Sequence, residues 1–237
     1  MPQSDPGNMY DLLADEYYDA SHKTCRNFDT TAKLALEGFK PSVPSTGLVL
    51  EVGAGRGRAH EFLGVAPDRI VQLDSSPQML NLQARESCLL RLCADAASIP
   101  ISGSPFALVV AFLFDPYLGM NFAREVFRVL AAGGKFIGTN PSACWGHPLR
   151  DDLKLNRNET RFVDRQGRTQ QLTSVLLPHE RMKSLFADAG FTDIAITSHS
   201  LPSGVTPISA DIERSARLSG KTVTSLEIID LVIATKP

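Results

Sequence analysis

The chain is poor in several things, and each absence excludes a class. Basic residues are not in excess: 24 Lys and Arg stand against 26 Asp and Glu, a formal net charge of -2 over 237 residues. No run of like charge gathers into a basic stripe, which argues against electrostatic capture of nucleic acid. The four cysteines, Cys25, Cys88, Cys93 and Cys144, contain no C-x-x-C pair and no zinc-ligand spacing, so reduced thiols and no metal site are expected. The longest apolar run, Phe106 to Met120, is broken by Asp115 and Pro116 and falls short of the roughly 20 apolar residues of a membrane helix. Met1 to Asn8 is polar, with two prolines, and lacks the basic start and apolar centre of a signal peptide. A single cytoplasmic domain without a membrane segment is the expectation.

What the chain does have is concentrated in Leu48-Val49-Leu50-Glu51-Val52-Gly53-Ala54-Gly55-Arg56-Gly57. An apolar run suited to a strand buried on both faces passes through an acidic residue into glycines at every second position, where backbone can fold tightly beneath a ligand. Asp74 closes the next apolar run, Arg69–Leu73, where a parallel neighbour strand would set a carboxylate beside a ribose.

Strand-like and helix-like segments then alternate as far as Asn140, the rhythm of an open parallel sheet covered on both faces. Strands are predicted over Leu48–Val52, Arg69–Asp74, Leu89–Cys93, Phe106–Phe114 and Lys135–Asn140. A helix after Pro77 would carry Met79, Leu80, Leu82 and Gln83, and another over Phe122–Leu130 would end at Gly133-Gly134. Pro141 to Asn158 reads as mixed and polar, and Thr160–Val163 and Gln171–Leu177 flank a turn like a hairpin laid over the site. A helix over Pro178–Ala189 precedes Phe191–Ser198, a short helix around Ile212–Leu218, and Leu226–Thr235. The two late strands are expected to pair antiparallel at a sheet edge. Met9 to Glu37 reads as helical, a cap for the cofactor. The whole is thus expected as one α/β domain: a helical cap over 9–40, a cofactor-binding core over 46–140, an insertion over 141–178 and the remainder of the sheet over 179–237.

Four motifs in order carry a family resemblance: Glu51-Val52-Gly53-Ala54-Gly55-Arg56-Gly57, Leu73 to Leu80, Ala94 to Pro100, and Val129 to Phe136. On these the chain resembles the class I S-adenosylmethionine-dependent methyltransferases, and among them the ubiquinone/menaquinone-biosynthesis type acting on small molecules. The resemblance implies a doubly wound, mostly parallel seven-stranded sheet with a hairpin insertion after the fifth strand. It implies S-adenosylmethionine as cofactor and S-adenosylhomocysteine as product. It would place Gly53, Ala54 and Gly55 against the methionine part, Glu51 near its ammonium, and Asp74 on both ribose hydroxyls. Ser75, Met79, Asp95 and Ala96 would surround adenine, and Phe112 and Leu113 would floor the site of the methyl group. Tyr18 from the cap and Arg26, toward the carboxylate, complete the expected cofactor set.

The acceptor side departs from the family: Ala107 stands where an Asp is frequent, and Asp115-Pro116-Tyr117 replaces an apolar-His-His end. Asp115, His22 and His147 are the candidates for proton handling, since each falls in a segment expected to border the pocket. The predicted partner is a small organic acceptor, with no nucleic acid and no membrane, and the chain acting as monomer or homodimer. A methyltransferase on tRNA or protein, or a cofactor-binding sensor that no longer transfers methyl groups, stays open beside it. A nicotinamide dehydrogenase would need glycine at position 58, where the chain has Arg58.

Overall fold

A computed structural model describes residues 8–19, 21–40, 43–82 and 87–237. The amino-terminal helical run is two helices, α1 (Met9–Tyr17) and α2 (Lys23–Glu37), separated by a break after Tyr18. Then come β1 (Leu48–Val52), α3 (Ala59–Leu63), β2 (Ile70–Asp74), α4 (Pro77–Leu80), β3 (Leu90–Cys93), β4 (Phe106–Phe112), α5 (Met120–Val129) and β5 (Leu130–Pro141). The second half holds α6 (Ala143–Leu153), β6 (Glu159–Val163), β7 (Thr169–Thr173), α7 (His179–Asp188), β8 (Thr192–Ser200), α8 (Ala210–Leu218) and β9 (Glu227–Thr235).

Seven strands form one sheet in the order β3-β2-β1-β4-β5-β9-β8, and β6 and β7 pair separately as a hairpin. β1 to β5 run parallel, while β9 is antiparallel to both β5 and β8. The two late strands thus pair as expected, with β9 inside and β8 at the edge. Strand alternation sorts the core. Val49, Leu108 and Val110 face α2 and α3 through Ala32, Leu36, Phe62 and Leu63. Leu50, Val52, Val109 and Ala111 face α5 and α7 through Phe122, Val126, Met182 and Phe186. A sheet buried on both sides explains the near-continuous apolar strands.

Several boundaries differ from expectation: β4 ends at Phe112 rather than Phe114, and α4 at Leu80, short of the expected Leu82. Helix α5 stops at Val129 and β5 begins at Leu130, so Gly133-Gly134 lies within the strand, where Gly133 N–H donates to the Lys236 carbonyl at 2.9 Å and the β4 register slips. The polar-looking stretch after Pro141 contains α6, capped by Ser142 and running through Pro148. The proline leaves the Cys144 carbonyl without its helical donor, and Cys144 is exposed, which makes the loss tolerable. The hairpin's second arm ends at Thr173 rather than Leu177, because Val175 N–H turns to the Asp115 carbonyl at 2.9 Å. Gln83 lies outside the described residues. Among the described residues no helix is long and apolar enough to cross a membrane.

Candidate functional site

The sheet order reverses at β1, whose neighbours are β2 on one side and β4 on the other, and the crevice beyond their carboxyl ends is where this architecture takes ligands. The turn leaving β1 packs directly on β2: Ala54 N–H donates to the Leu73 carbonyl at 3.0 Å and Gly55 N–H to Asp74 Oδ2 at 2.8 Å. Asp74 Oδ1 accepts from Ser76 N–H at 2.9 Å. The carboxylate is therefore fixed in direction, and each oxygen keeps a lone pair for a ligand. Burial raises the Asp74 pKa against those backbone donors.

A cavity of about 500 Å³ opens beside this turn, within the size range of small-ligand sites. Of the expected cofactor residues, Tyr18, Gly53, Ala54, Gly55, Asp74, Ser75, Met79, Asp95, Ala96 and Phe112 all line it. Asp95 spends one oxygen on Ala97 N–H at 2.8 Å. Leu113, just past the end of β4, lines the cavity and is held at φ 55, a left-handed conformation that costs a non-glycine residue roughly 1–2 kcal/mol. Asp29, Asp74 and Asp95 against Arg58 give the wall an acidic balance, suited to a cation.

Two expected residues stand elsewhere. Glu51 is 1% exposed and caps α3, accepting from Arg58 N–H, from Ala59 N–H at 2.9 Å and from Gln72 Nε2 at 3.1 Å. With its oxygens so engaged it does not line the cavity; a carboxylate at a helix start is favoured there by the helix dipole. Arg26 lies on α2 away from the lining, and Arg58 occupies the wall instead. The Arg58 guanidinium contacts Asp29 and donates to Glu61 at 2.9 Å, while its buried Nε meets no acceptor among the described residues. No motif marks Arg58, which stands where a dinucleotide loop would carry glycine.

A second cavity of about 420 Å³ adjoins the first, the two sharing Tyr10, Tyr17, Cys25, Leu113, Pro116 and Leu172. Asp115 lies in its wall, 8% exposed. Burial pushes its pKa up to about 7, against a hydrogen bond from Ser174 and the charge of Arg150. Arg150, itself buried, donates to Ser174 Oγ at 2.7 Å. His22 also lines this cavity, stacked on Phe162 with 4.2 Å between ring centroids, and its buried Nε2 has no partner among the described residues. His147 lines neither cavity: its Nε2 faces the Leu176 carbonyl at 3.3 Å and burial lowers its pKa. Burial likewise raises Tyr10 and Tyr17, and takes Cys25 up to about 12. These groups wall the junction in neutral form.

Tyr10 and Tyr17 of the cap and Leu172 of the hairpin line both cavities. Tyr17 lies parallel to Phe162 of the hairpin, 5.8 Å between centroids, and Leu13 packs with Phe162 and Leu172. Arg165, at the hairpin tip, donates through its N–H to Glu16 Oε2 at 2.7 Å and through Nη2 to Asp19 Oδ2 at 2.5 Å.

Residues 50–138 match a family model described as a methyltransferase domain. A Mycolicibacterium smegmatis protein bearing the name probable S-adenosylmethionine-dependent methyltransferase is 27% identical over 149 residues, 62% of this chain and 58% of that protein's length. The chain thus spans little more than half of that relative. Among solved structures, a SAM-dependent methyltransferase of Thermotoga maritima superposes with a TM-score of 0.64 at 15% identity, over 97% of this chain and 100% of that one. A Haemonchus contortus phosphoethanolamine N-methyltransferase, bound to S-adenosylhomocysteine and phosphomonomethylethanolamine, gives 0.58 at 15% identity over 97% of this chain and 60% of that one. The sheet order, the crevice and these likenesses establish the Rossmann-like methyltransferase fold.

Proposed function

We propose, from the premise that this chain carries an S-adenosylmethionine-dependent methyltransferase domain, that it moves a methyl group to a small organic acceptor by direct displacement. The observation that carries this reading is the Asp74 carboxylate, oriented by Gly55 and Ser76 beside a glycine turn in an acidic cavity. Asp74 would take the ribose hydroxyls, Ser75 and Met79 would lie against adenine, Asp95 and Ala96 would meet its edge, and Phe112 would floor the methyl group. Tyr18, Asp29 and Arg58 would surround the methionine end, whose ammonium and carboxylate suit an aspartate and an arginine. When bound, the cofactor supplies a methyl group on a positively charged sulfur; the protein aligns, desolvates and receives the proton.

Alignment alone is worth roughly 7–11 kcal/mol, and a positioned base about 10²–10⁴ in rate. We assign the proton to Asp115, buried in the adjoining chamber, with His22 in the same wall as the other candidate; His147 and Glu51 are left out of the machinery. The cap over 9–40 and the insertion over 141–178 act as a lid, so that acceptor and cofactor react away from water. A chamber of about 420 Å³ beneath a lid favours a small acceptor over tRNA or a protein. The partners proposed are the acceptor and at most a second copy of the chain, with action in the cytoplasm, where four free thiols persist.

Calorimetric titration with S-adenosylmethionine, S-adenosylhomocysteine and NAD tests the cofactor half, with binding expected for the first two alone. A labelled-methyl assay against a metabolite extract tests transfer. Cofactor binding with no labelled product from any acceptor class would leave the sensor in its place.

A further inference from the structure

We infer that Arg150 and Ser174, both from the insertion, are positioning residues for the proposed base: Arg150, acting through the Ser174 hydroxyl, holds the Asp115 carboxylate in place and favours its ionised form. The inference rests on the methyltransferase reading and on the proton role given to Asp115 above.

The direction of the hydrogen bonds is the first reason. Arg150, buried on α6, donates through Nη2 to Ser174 Oγ at 2.7 Å and through Nη1 to the Arg157 carbonyl. A guanidinium stays charged when buried and has no lone pair to offer. The Ser174 hydrogen therefore points away from Arg150, and the acceptor it meets is the Asp115 carboxylate. Donation to a carboxylate favours its charged form.

Backbone ties are the second. Ser174 N–H donates to the Asn158 carbonyl at 2.9 Å, and Val175 N–H to the Asp115 carbonyl at 2.9 Å. The segment leaving β7 thus clasps the residue that follows β4, and Ser174 and Asp115 are both buried, where such bonds are electrostatically stronger than in water.

The third is charge. Tyr10 and Tyr17 of α1, Cys25 of α2 and Tyr117 also face Asp115, and burial keeps all four neutral. Of the other groups in the chamber wall, Lys23 is exposed, Arg161 pairs with Asp211 at 3.3 Å, and His22 stacks on Phe162. Arg150 is the buried cation of this wall among the described residues. Burial drives the Asp115 carboxyl up to about 7, and Ser174 and Arg150 oppose the rise. The insertion therefore supplies part of the base as well as its cover.

NMR of the full chain, labelled with carbon-13 at its aspartate carboxyls and holding S-adenosylhomocysteine, reads the titration without an acceptor. The signal missing from Asp115→Asn identifies Asp115, and its midpoint in the unaltered protein is expected at about 7. Ser174→Ala and Arg150→Met should each raise that midpoint by about one pH unit or more, and Arg150→Lys, which keeps the charge, should bring it part of the way back. A purely structural role would lower the melting temperature and leave the midpoint where it is. An unmoved midpoint in both variants overturns the inference, as does an Arg150→Lys midpoint no lower than that of Arg150→Met. Should Arg150→Met fail to fold, Ser174→Ala decides, since it removes a single oxygen. If S-adenosylhomocysteine binds and the midpoint does not move, this inference falls and the methyltransferase reading stands. If S-adenosylhomocysteine itself does not bind, the parent reading falls. If Asp115→Asn transfers labelled methyl to a metabolite extract as fast as the unaltered protein, the proton role of Asp115 falls and this inference with it.

Discussion

The hydroxyl of Tyr18 lies so close to Gly55 that a Cβ built on that glycine would stand 2.0 Å from it. The same hydroxyl accepts from Arg56 N–H at 3.3 Å, and the Arg56 guanidinium sits 4.5 Å over the ring. The cap is thus keyed to the glycine turn by one aromatic side chain, and Gly55 sits at φ 51, a left-handed conformation that favours glycine.

Gly55→Ala is accordingly expected to destabilise the protein by more than the roughly 1–2 kcal/mol of a left-handed alanine, since Tyr18 must also move. Adding Tyr18→Phe should recover part of the loss by removing the clashing oxygen. Thermal melts of the single and double variants measure this; equal destabilisation of both would show that Tyr18 gives way freely.

Asp74→Ala should weaken S-adenosylhomocysteine binding more than about 100-fold, since two hydrogen bonds to a charged group are lost, each typically worth about 1.5–3 kcal/mol. Calorimetry reads the effect directly. Retention of affinity within a few-fold would place the ribose elsewhere.

Asp115→Asn should lower turnover by about 10²–10⁴ with cofactor affinity unchanged. A base must be ionised to take the proton, so with burial pushing the Asp115 carboxyl up to about 7 the proposed role requires the kcat/KM of the unaltered protein to rise with pH through that value and then level. Stability should move the other way. The folded chain binds this proton more tightly than the unfolded one, whose carboxyl titrates near 3.9, so the stability the proton confers is complete below about 4 and is lost as pH rises through about 7. The loss is at most roughly 4 kcal/mol. Urea unfolding at several pH values should show a steeper fall in the unaltered protein than in Asp115→Asn, where the Asp29, Glu51 and Asp74 carboxyls, also raised by burial, remain.

Arg165→Ala removes the pairing of the hairpin tip with Asp19 and should leave the melting temperature nearly unchanged, since exposed ion pairs contribute about 0–1 kcal/mol. The Asp19 pKa, held at about 2 by donors from Ser21 and Arg165, should return toward its ordinary value. If the hairpin is a lid, dissociation of S-adenosylhomocysteine should quicken in stopped flow; an unchanged rate would make the pairing ornamental.

The core was legible because its signals are local. Leu48–Val52 is apolar at every position but Glu51 and ends in glycines, and Asp74 follows an apolar run, so strand, turn and carboxylate can be read without neighbours. α6 was not legible, because Gly146 and Pro148 hide its periodicity and its stability comes from packing Trp145 and Leu149 against Ile212 and Ala216. Glu51 could not be assigned from its motif alone: whether a carboxylate at a strand end meets a ligand or the next helix depends on where Arg58 and Ala59 place their N–H groups.

The sequence by itself determined the parallel sheet, the glycine turn and the Asp74 carboxylate, because strand periodicity and turn chemistry act over a few residues. Only the tertiary structure decided that Arg58 rather than Arg26 walls the cavity beside the glycine turn, that His147 turns away to Leu176, and that Asp115, Trp145 and His22 share one chamber. Those residues come from the end of β4, from α6 and from the break before α2. Side chains so far apart along the chain are joined only by the packing of the cap and insertion onto the sheet.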